Sequence, residues 1–224
     1  TAVGYQALYS NVTGAENAAF GFRALDVSTG SYNNAFGSET LGSNTSGSNN
    51  TAFGHSALGS NTTASNNTAV GYQASYSNTT GNNNVVAGFQ AGYSNTTGSL
   101  NTFVGSYAGN ANTTPNNNSF VGSFAGYANT TGAQNTALGQ AALQNNTTAS
   151  NNTAVGYQAG FSNTTGATIT AVGYQCLYTN TTGIDNHAFG DRALYSNTTG
   201  AGNTAAGYAP LFANTTGQFK DRKS

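Results

Sequence analysis

Charge is what this chain has least of. Only 5% of its 224 residues are Asp, Glu, Lys or Arg, and the formal net charge is −1. Five Lys and Arg cannot neutralise a phosphate backbone, which argues against nucleic acid as a partner. There is no polybasic cluster to hold an anionic membrane surface and no apolar run approaching a membrane span, so membrane insertion of this segment is not expected. Trp and Met are absent, and Leu, Ile, Val and Phe together make about 15% of the chain, below the usual globular level. Low apolar content joined to high net charge would indicate disorder, but the high net charge is missing. A polar, nearly uncharged chain needs another means of cohesion, such as ladders of hydrogen-bonding side chains.

A single cysteine excludes an internal disulfide. Cys176 stands where most repeats have Ala, which reads as a small buried filler. A catalytic thiol would need a base, and no His falls near it in the repeat frame. The chain opens inside a repeat, at Thr1, as expected of a cut end, so the lack of a visible signal peptide carries little weight.

What the chain has is repetition. Gly recurs at Gly4, Gly21, Gly37, Gly54, Gly71, Gly88, Gly105, Gly122, Gly139, Gly156, Gly173, Gly190 and Gly207, always 17 residues apart except for one step of 16. Numbered 1 to 17 from the preceding Thr, the copies share the consensus T-A-V-G-Y-Q-A-L-Y-S-N-T-T-G-S-x-N. Seventeen residues are too few for a helix pair. The Thr, Val, Phe and Tyr content, punctuated by Gly and Asn, favours strands and tight turns. Each copy therefore reads as one coil of an all-β parallel β-solenoid of 13 coils, with two short strands per coil. At about 4.8 Å per coil this predicts a rod of roughly 60 Å.

Position 4 is Gly in every copy, which requires positive φ or close backbone approach. Position 11 is Asn in twelve copies and position 17 in eleven, the exceptions at 17 being Ile169 and Lys220. Such residues stack and hydrogen-bond along a solenoid axis. Position 13 is Thr in twelve copies, among them Thr29 of the Val27-Ser28-Thr29 stretch, and Ser46 in the other. That alignment gives position 13 a structural role independent of the Asn.

Positions 2 and 8 exchange volume. Ala at 2 usually accompanies Leu at 8. Where position 2 grows to Val86, Phe103 and Phe120, position 8 shrinks to Gly92, Gly109 and Gly126. Close packing forces such exchange, so the two positions are expected to share one space, although Gly160 accompanies Ala154 without compensation. Position 3 is apolar throughout. Val3, Phe20, Phe36, Phe53, Val70, Val104, Val121, Leu138, Val155, Val172 and Phe189 form its ladder, with Ala87 and Ala206. Neighbouring strand residues face opposite ways, so one thin core cannot cover both positions 2 and 3. Another copy of the chain is the expected cover, which predicts a homo-oligomer.

The recurring N-T-A-V-G-Y-Q-A element with its following T-T-G resembles the YadA-like head repeats of trimeric autotransporter adhesins, and related tail-fibre-like repeat proteins, over residues 1–217. The resemblance implies a left-handed β-roll, a trimer, and an extracellular role in attachment or fibre scaffolding at a cell surface or on a virion appendage. It implies no catalytic residue and no cofactor. The family repeat is typically shorter than 17, so the extra residues are expected in an outer turn. Residues 218–224 hold Lys220, Asp221, Arg222 and Lys223, a charged end expected to lead to another segment.

Positions 11–13 form an N-x-T/S sequon in twelve copies, at Asn11, Asn44, Asn61, Asn78, Asn95, Asn112, Asn129, Asn146, Asn163, Asn180, Asn197 and Asn214. These residues are either glycan acceptors or plain turn residues. Thr ranks at positions 1 and 12 allow an alternative reading as an ice-binding face. Aromatics at position 5 (Tyr5, Tyr72, Tyr157, Tyr174, Tyr208) and position 9 (Tyr9, Tyr76, Tyr93, Tyr127, Tyr178, Tyr195) either form a sticky stripe for a surface receptor or glycan, or stack on one another. Stacking is the favoured reading. No catalytic constellation is visible: His55 and His187 lie eight coils apart, and the six acidic residues are scattered. Arg23 and Glu39, both at position 6 of adjoining copies, are expected to pair on the surface.

Overall fold

The computed structural model describes residues 1–223. The chain is an all-β parallel β-solenoid of about thirteen coils, with about 17 residues per coil and no helix among the described residues. It divides into two compact units, Thr1–Asn116 and a second beginning at Asn117.

The first unit contains β1 (Ala2–Val3), β2 (Ala18–Phe20), β3 (Asn34–Phe36), β4 (Thr51–Phe53), β5 (Thr68–Val70), β6 (Val85–Ala87) and β7 (Thr102–Val104). Each strand pairs in parallel with the next, so that Ala52 lies beside Ala69 and Ala69 beside Val86. The second unit contains β8 (Ser119–Val121), β9 (Thr136–Leu138), β10 (Thr153–Val155), β11 (Thr170–Val172), β12 (His187–Phe189), β13 (Thr204–Ala206) and β14 (Asp221–Lys223), paired the same way. In β14 the charged residues Asp221, Arg222 and Lys223 continue the sheet beside Thr204, Ala205 and Ala206, although the sequence pattern fades near Gly217.

Each coil has one short strand rather than the two expected. Positions 6, 8 and 16 adopt left-handed backbone, as at Gln73 (φ 51°), Ser75 (φ 52°) and Asn83 (φ 58°). These residues turn the chain and prevent a second extended run. The interstrand ladder nevertheless continues through the turns: Leu58 N–H donates to Ala74 O at 3.0 Å, and Ser60 N–H to Tyr76 O at 3.0 Å. Backbone pairing is thus kept where strand conformation is lost.

Position 4 shows why no side chain is tolerated there. Gly71 has φ +132°, and a Cβ on it would lie 2.5 Å from the carbonyl oxygen of Gly88 in the next coil. Positive φ and close backbone approach both apply.

The core is made from positions 2, 7 and 8. In the first unit it contains Ala35, Ala52, Ala69, Leu25, Leu41, Leu58 and Phe103, all fully buried. In the second it contains Phe120, Ala154, Ala171, Leu143, Leu177 and Leu194, with Cys176 at the usual Ala position. The expected exchange of volume is present: a Cβ on Gly126 would lie 2.5 Å from the Phe120 ring, and one on Gly92 would lie 2.8 Å from Phe103. Gly160 is explained by other neighbours. Leu143 of the preceding coil and Ile169, which replaces an Asn, approach its virtual Cβ to 3.0 and 3.5 Å.

Asparagine completes the interior. Asn61 Nδ2 donates to Asn44 Oδ1 at 2.7 Å and to Ala64 O at 3.0 Å. At position 17, Asn50 Nδ2 donates to Ala64 O at 2.9 Å, while its Oδ1 accepts the Asn67 N–H at 3.0 Å. These buried amides are therefore satisfied along the axis, the condition for keeping polar groups inside a fold.

The short second coil aligns differently from its sequence reading. Asn44 Nδ2 donates to Ser28 Oγ at 3.0 Å, and Thr29 Oγ1 donates to Thr45 O at 2.8 Å. Thr45 Oγ1 bonds Thr62 O in the same manner, at 2.9 Å. Ser28 thus occupies position 11 and Thr29 position 12, so the missing residue is at position 13. Thr29 gives no evidence for a separate role of position 13.

Candidate functional site

The sequon asparagines lie in the interior, because their side chains form the inner ladder. Asn44, Asn61, Asn78, Asn95 and Asn112 in the first unit are buried, and Asn11 at its open end is half-buried. In the second unit Asn129, Asn146, Asn163, Asn180, Asn197 and Asn214 are buried. Asn78 Nδ2 bonds Asn61 Oδ1 at 3.0 Å and Gly81 O at 3.0 Å, and Asn180 Nδ2 bonds Asn163 Oδ1 at 2.8 Å and Gly183 O at 3.0 Å. A glycan on such a nitrogen would remove a donor and have no path to solvent, so the folded coil favours the structural reading of these sequons.

The position-12 hydroxyls are also engaged. Thr62 Oγ1 donates to Thr79 O at 3.0 Å, and Thr164 Oγ1 to Thr181 O at 3.0 Å. Their protons go to the next coil, which removes the regular donors that a water-ordering face would need.

Position 3 lies outside the core, on the face opposite position 2. In the first unit Val3, Phe20, Phe36, Phe53, Val70 and Val104 are all at least partly exposed, and in the second Val121, Leu138, Val155, Val172 and Phe189 are too. Phe36 stacks on Phe20 at 4.8 Å and on Phe53 at 4.5 Å, with rings nearly parallel. Each unit therefore carries an apolar strip along its sheet.

Where rings occupy position 5 or position 9 of adjoining coils, they stack on one another. Tyr72 lies between His55 (5.5 Å) and Phe89 (5.3 Å). In the second unit Phe161, Tyr178, Tyr195 and Phe212 form a continuous column at 5.0–5.1 Å. Rings inside a column have both faces occupied and present only their edges. In the first unit the position-9 column is interrupted at Gly42 and Gly59, where a cavity of about 160 Å³ opens beside Tyr76.

Arg23 does not pair with Glu39 as expected. Its Nε binds the buried carboxylate of Asp26 at 2.9 Å within the same turn, while Ser56 Oγ lies 3.4 Å from Glu39 Oε2. The three-residue separation within one turn places Asp26 closer than the next coil's position 6. His55 Nδ1 lies 2.9 Å from Ser56 Oγ, and His187 Nδ1 lies 3.2 Å from Thr170 Oγ1. Burial pushes the Cys176 thiol up to about 11, despite backbone hydrogen bonds that lower it. A thiol so raised is protonated at neutral pH and is not poised as a nucleophile. Among the described residues no three His, Cys, Asp or Glu gather in a metal-holding group, and no helix is long and apolar enough to cross a membrane.

Comparison with known proteins finds no match among family models, curated proteins or solved structures.

Proposed function

We propose that this chain is a non-enzymatic, adhesive or structural segment of an extracellular trimeric fibre, a surface adhesin or the shaft of a phage tail fibre. The observation that supports this most is the position-3 strip. Val3 is 56% exposed, Val70 44% and Phe189 44%, in an otherwise polar chain. Soluble monomers rarely leave a continuous apolar strip uncovered. Three copies around a common axis would cover each unit's strip and close the symmetry, so that assembly stops at a defined size. Three identical outer surfaces would also raise the effective concentration at an array of receptors. The left-handed β-roll of the adhesin heads that the repeats resemble belongs to the same proposal.

Sedimentation of the isolated protein tests it. The expected mass is three times the calculated 22.6 kDa. A folded species at 22.6 kDa would overturn the trimer and take the main support from the fibre reading.

A further inference from the structure

The interruption of the position-9 column has the chemistry of a ligand site. Position 9 carries an aromatic ring in eight coils, but Gly42 and Gly59 stand there in two adjoining ones. Their missing side chains open the cavity of about 160 Å³, lined by Arg23, Glu39, Ser43, Ser56, Ser60 and Tyr76. Tyr76 closes one end. One side of its ring stacks on Tyr93 at 5.4 Å, and the other borders Gly59, whose virtual Cβ would lie 3.0 Å from Cε2. The ring thus ends its column facing an open space rather than another ring.

The rim is polar and nearly balanced. The Arg23 guanidinium is held by Asp26 at 2.9 Å, leaving its remaining N–H groups as donors and its charge offset. The Glu39 carboxylate accepts, and the Ser43, Ser56 and Ser60 hydroxyls can donate or accept. With Arg23 and Asp26 cancelling, Glu39 leaves a local excess of one negative charge, which disfavours anionic ligands. The volume is below the roughly 300–1,000 Å³ of sites for drug-sized molecules and suits a single small ring.

We propose that this notch binds one neutral hexopyranose unit, its apolar ring face against Tyr76 and its hydroxyls on Arg23, Glu39 and the serines. An aromatic platform takes the C–H face of such a ring, while a rim of placed donors and acceptors takes its equatorial edge. The notch lies within one chain. It deepens the adhesive reading by naming a ligand class, and it rests on that reading for its biological purpose.

Calorimetric titration of the whole protein with methyl glucopyranoside, galactopyranoside and mannopyranoside tests the site. At least one is expected to bind in about the millimolar range that a single small ring supports. Gly59→Tyr should abolish binding by placing a ring against the open face of Tyr76. It should still fold, because the nearest atom to a Cβ there is Cε2 of Tyr76 at 3.0 Å, on a side chain that can shift, and other coils carry Tyr at this position. Tyr76→Ala should weaken binding about tenfold or more by removing the platform. The proposal is overturned if no pyranoside binds at about 50 mM, if Gly59→Tyr binds as the parent does, or if p-cresol binds while all three pyranosides fail. Sedimentation of the same samples separates the two readings. A monomer that binds sugar overturns the trimer alone, and a trimer that binds none overturns the notch alone.

Discussion

Phe103 occupies the space that a side chain at Gly109 would need: a Cβ on Gly109 would lie 2.7 Å from Phe103 Cδ1. The glycine is not required by its backbone, since its φ of +58° is close to the +53° that Leu8 adopts at the same position. Volume decides the residue. Gly109→Leu should therefore destabilise by about 1–3 kcal/mol through overpacking. Urea unfolding of Gly109→Leu, Phe103→Ala and the double variant measures the coupling. The double variant restores the Ala and Leu pair of other coils and should be more stable than the sum of the single changes implies. Strict additivity would show that the two positions do not share a space.

Ser75 sits at the position of Leu58 and Leu41, and its buried Oγ has no hydrogen-bond partner. Ser75→Leu removes an unsatisfied hydroxyl and adds buried apolar surface at a backbone conformation that Leu already adopts in this chain. A gain of about 1–2 kcal/mol is expected in urea unfolding. A loss would mean that Val86 and its neighbours leave no room for the larger side chain.

Two Gly→Ala substitutions should behave oppositely. At Gly71 a Cβ would meet the Gly88 carbonyl oxygen at 2.5 Å with φ at +132°, so Gly71→Ala should cost more than about 2 kcal/mol. At Gly42 the nearest atom is 3.3 Å away and φ is ordinary, so Gly42→Ala should change stability by less than about 0.5 kcal/mol. Thermal unfolding of the pair checks this, and similar melting temperatures would contradict the account of position 4.

Asn61→Ala would strip the donor from Asn44 Oδ1 and Ala64 O, and the acceptor from Asn78 Nδ2. Ala64 O keeps the Asn50 Nδ2 bond and Asn78 Nδ2 keeps the Gly81 O bond, so the cost is three buried hydrogen bonds at about 1 kcal/mol each, and the total should exceed about 2 kcal/mol. A loss below about 0.5 kcal/mol would remove the ladder as a source of stability. By the same bonds, peptide mapping of protein secreted from a glycosylating host should find Asn61 and Asn78 bare.

Cys176 should resist a thiol reagent at pH 8 in the folded protein and react once the chain is unfolded in guanidinium. With the thiol at about 11, about one in a thousand is ionised at that pH. The sign of the pH effect follows from the raised value. The folded state holds the proton more tightly, so its contribution is complete below the ordinary thiol range. It is then lost as pH climbs from 9.0 toward about 11. Rapid labelling of the native protein at pH 8 would show that the thiol is open to solvent.

The sequence by itself determined the coil length, the parallel stack and the exchange between positions 2 and 8. These depend on identical residues lying on top of one another, and a strict repeat states that geometry outright. It also separated the two faces at positions 2 and 3, because side chains alternate along a strand. Tertiary structure alone decided the rest. Three left-handed residues per coil remove the second strand, and non-glycine residues such as Gln73 and Leu58 give no local sign of that conformation. The sequons stayed open between glycan acceptors and turn residues until the burial of Asn61 and Asn78 in a bonded ladder favoured the structural reading. Arg23 chose Asp26 over Glu39 through a turn whose path the repeat frame does not describe. The glycines at 42 and 59 were visible as departures from the aromatic pattern, but an absent ring becomes a cavity only when its neighbours stay in place. Tyr76 does so because it stacks on Tyr93.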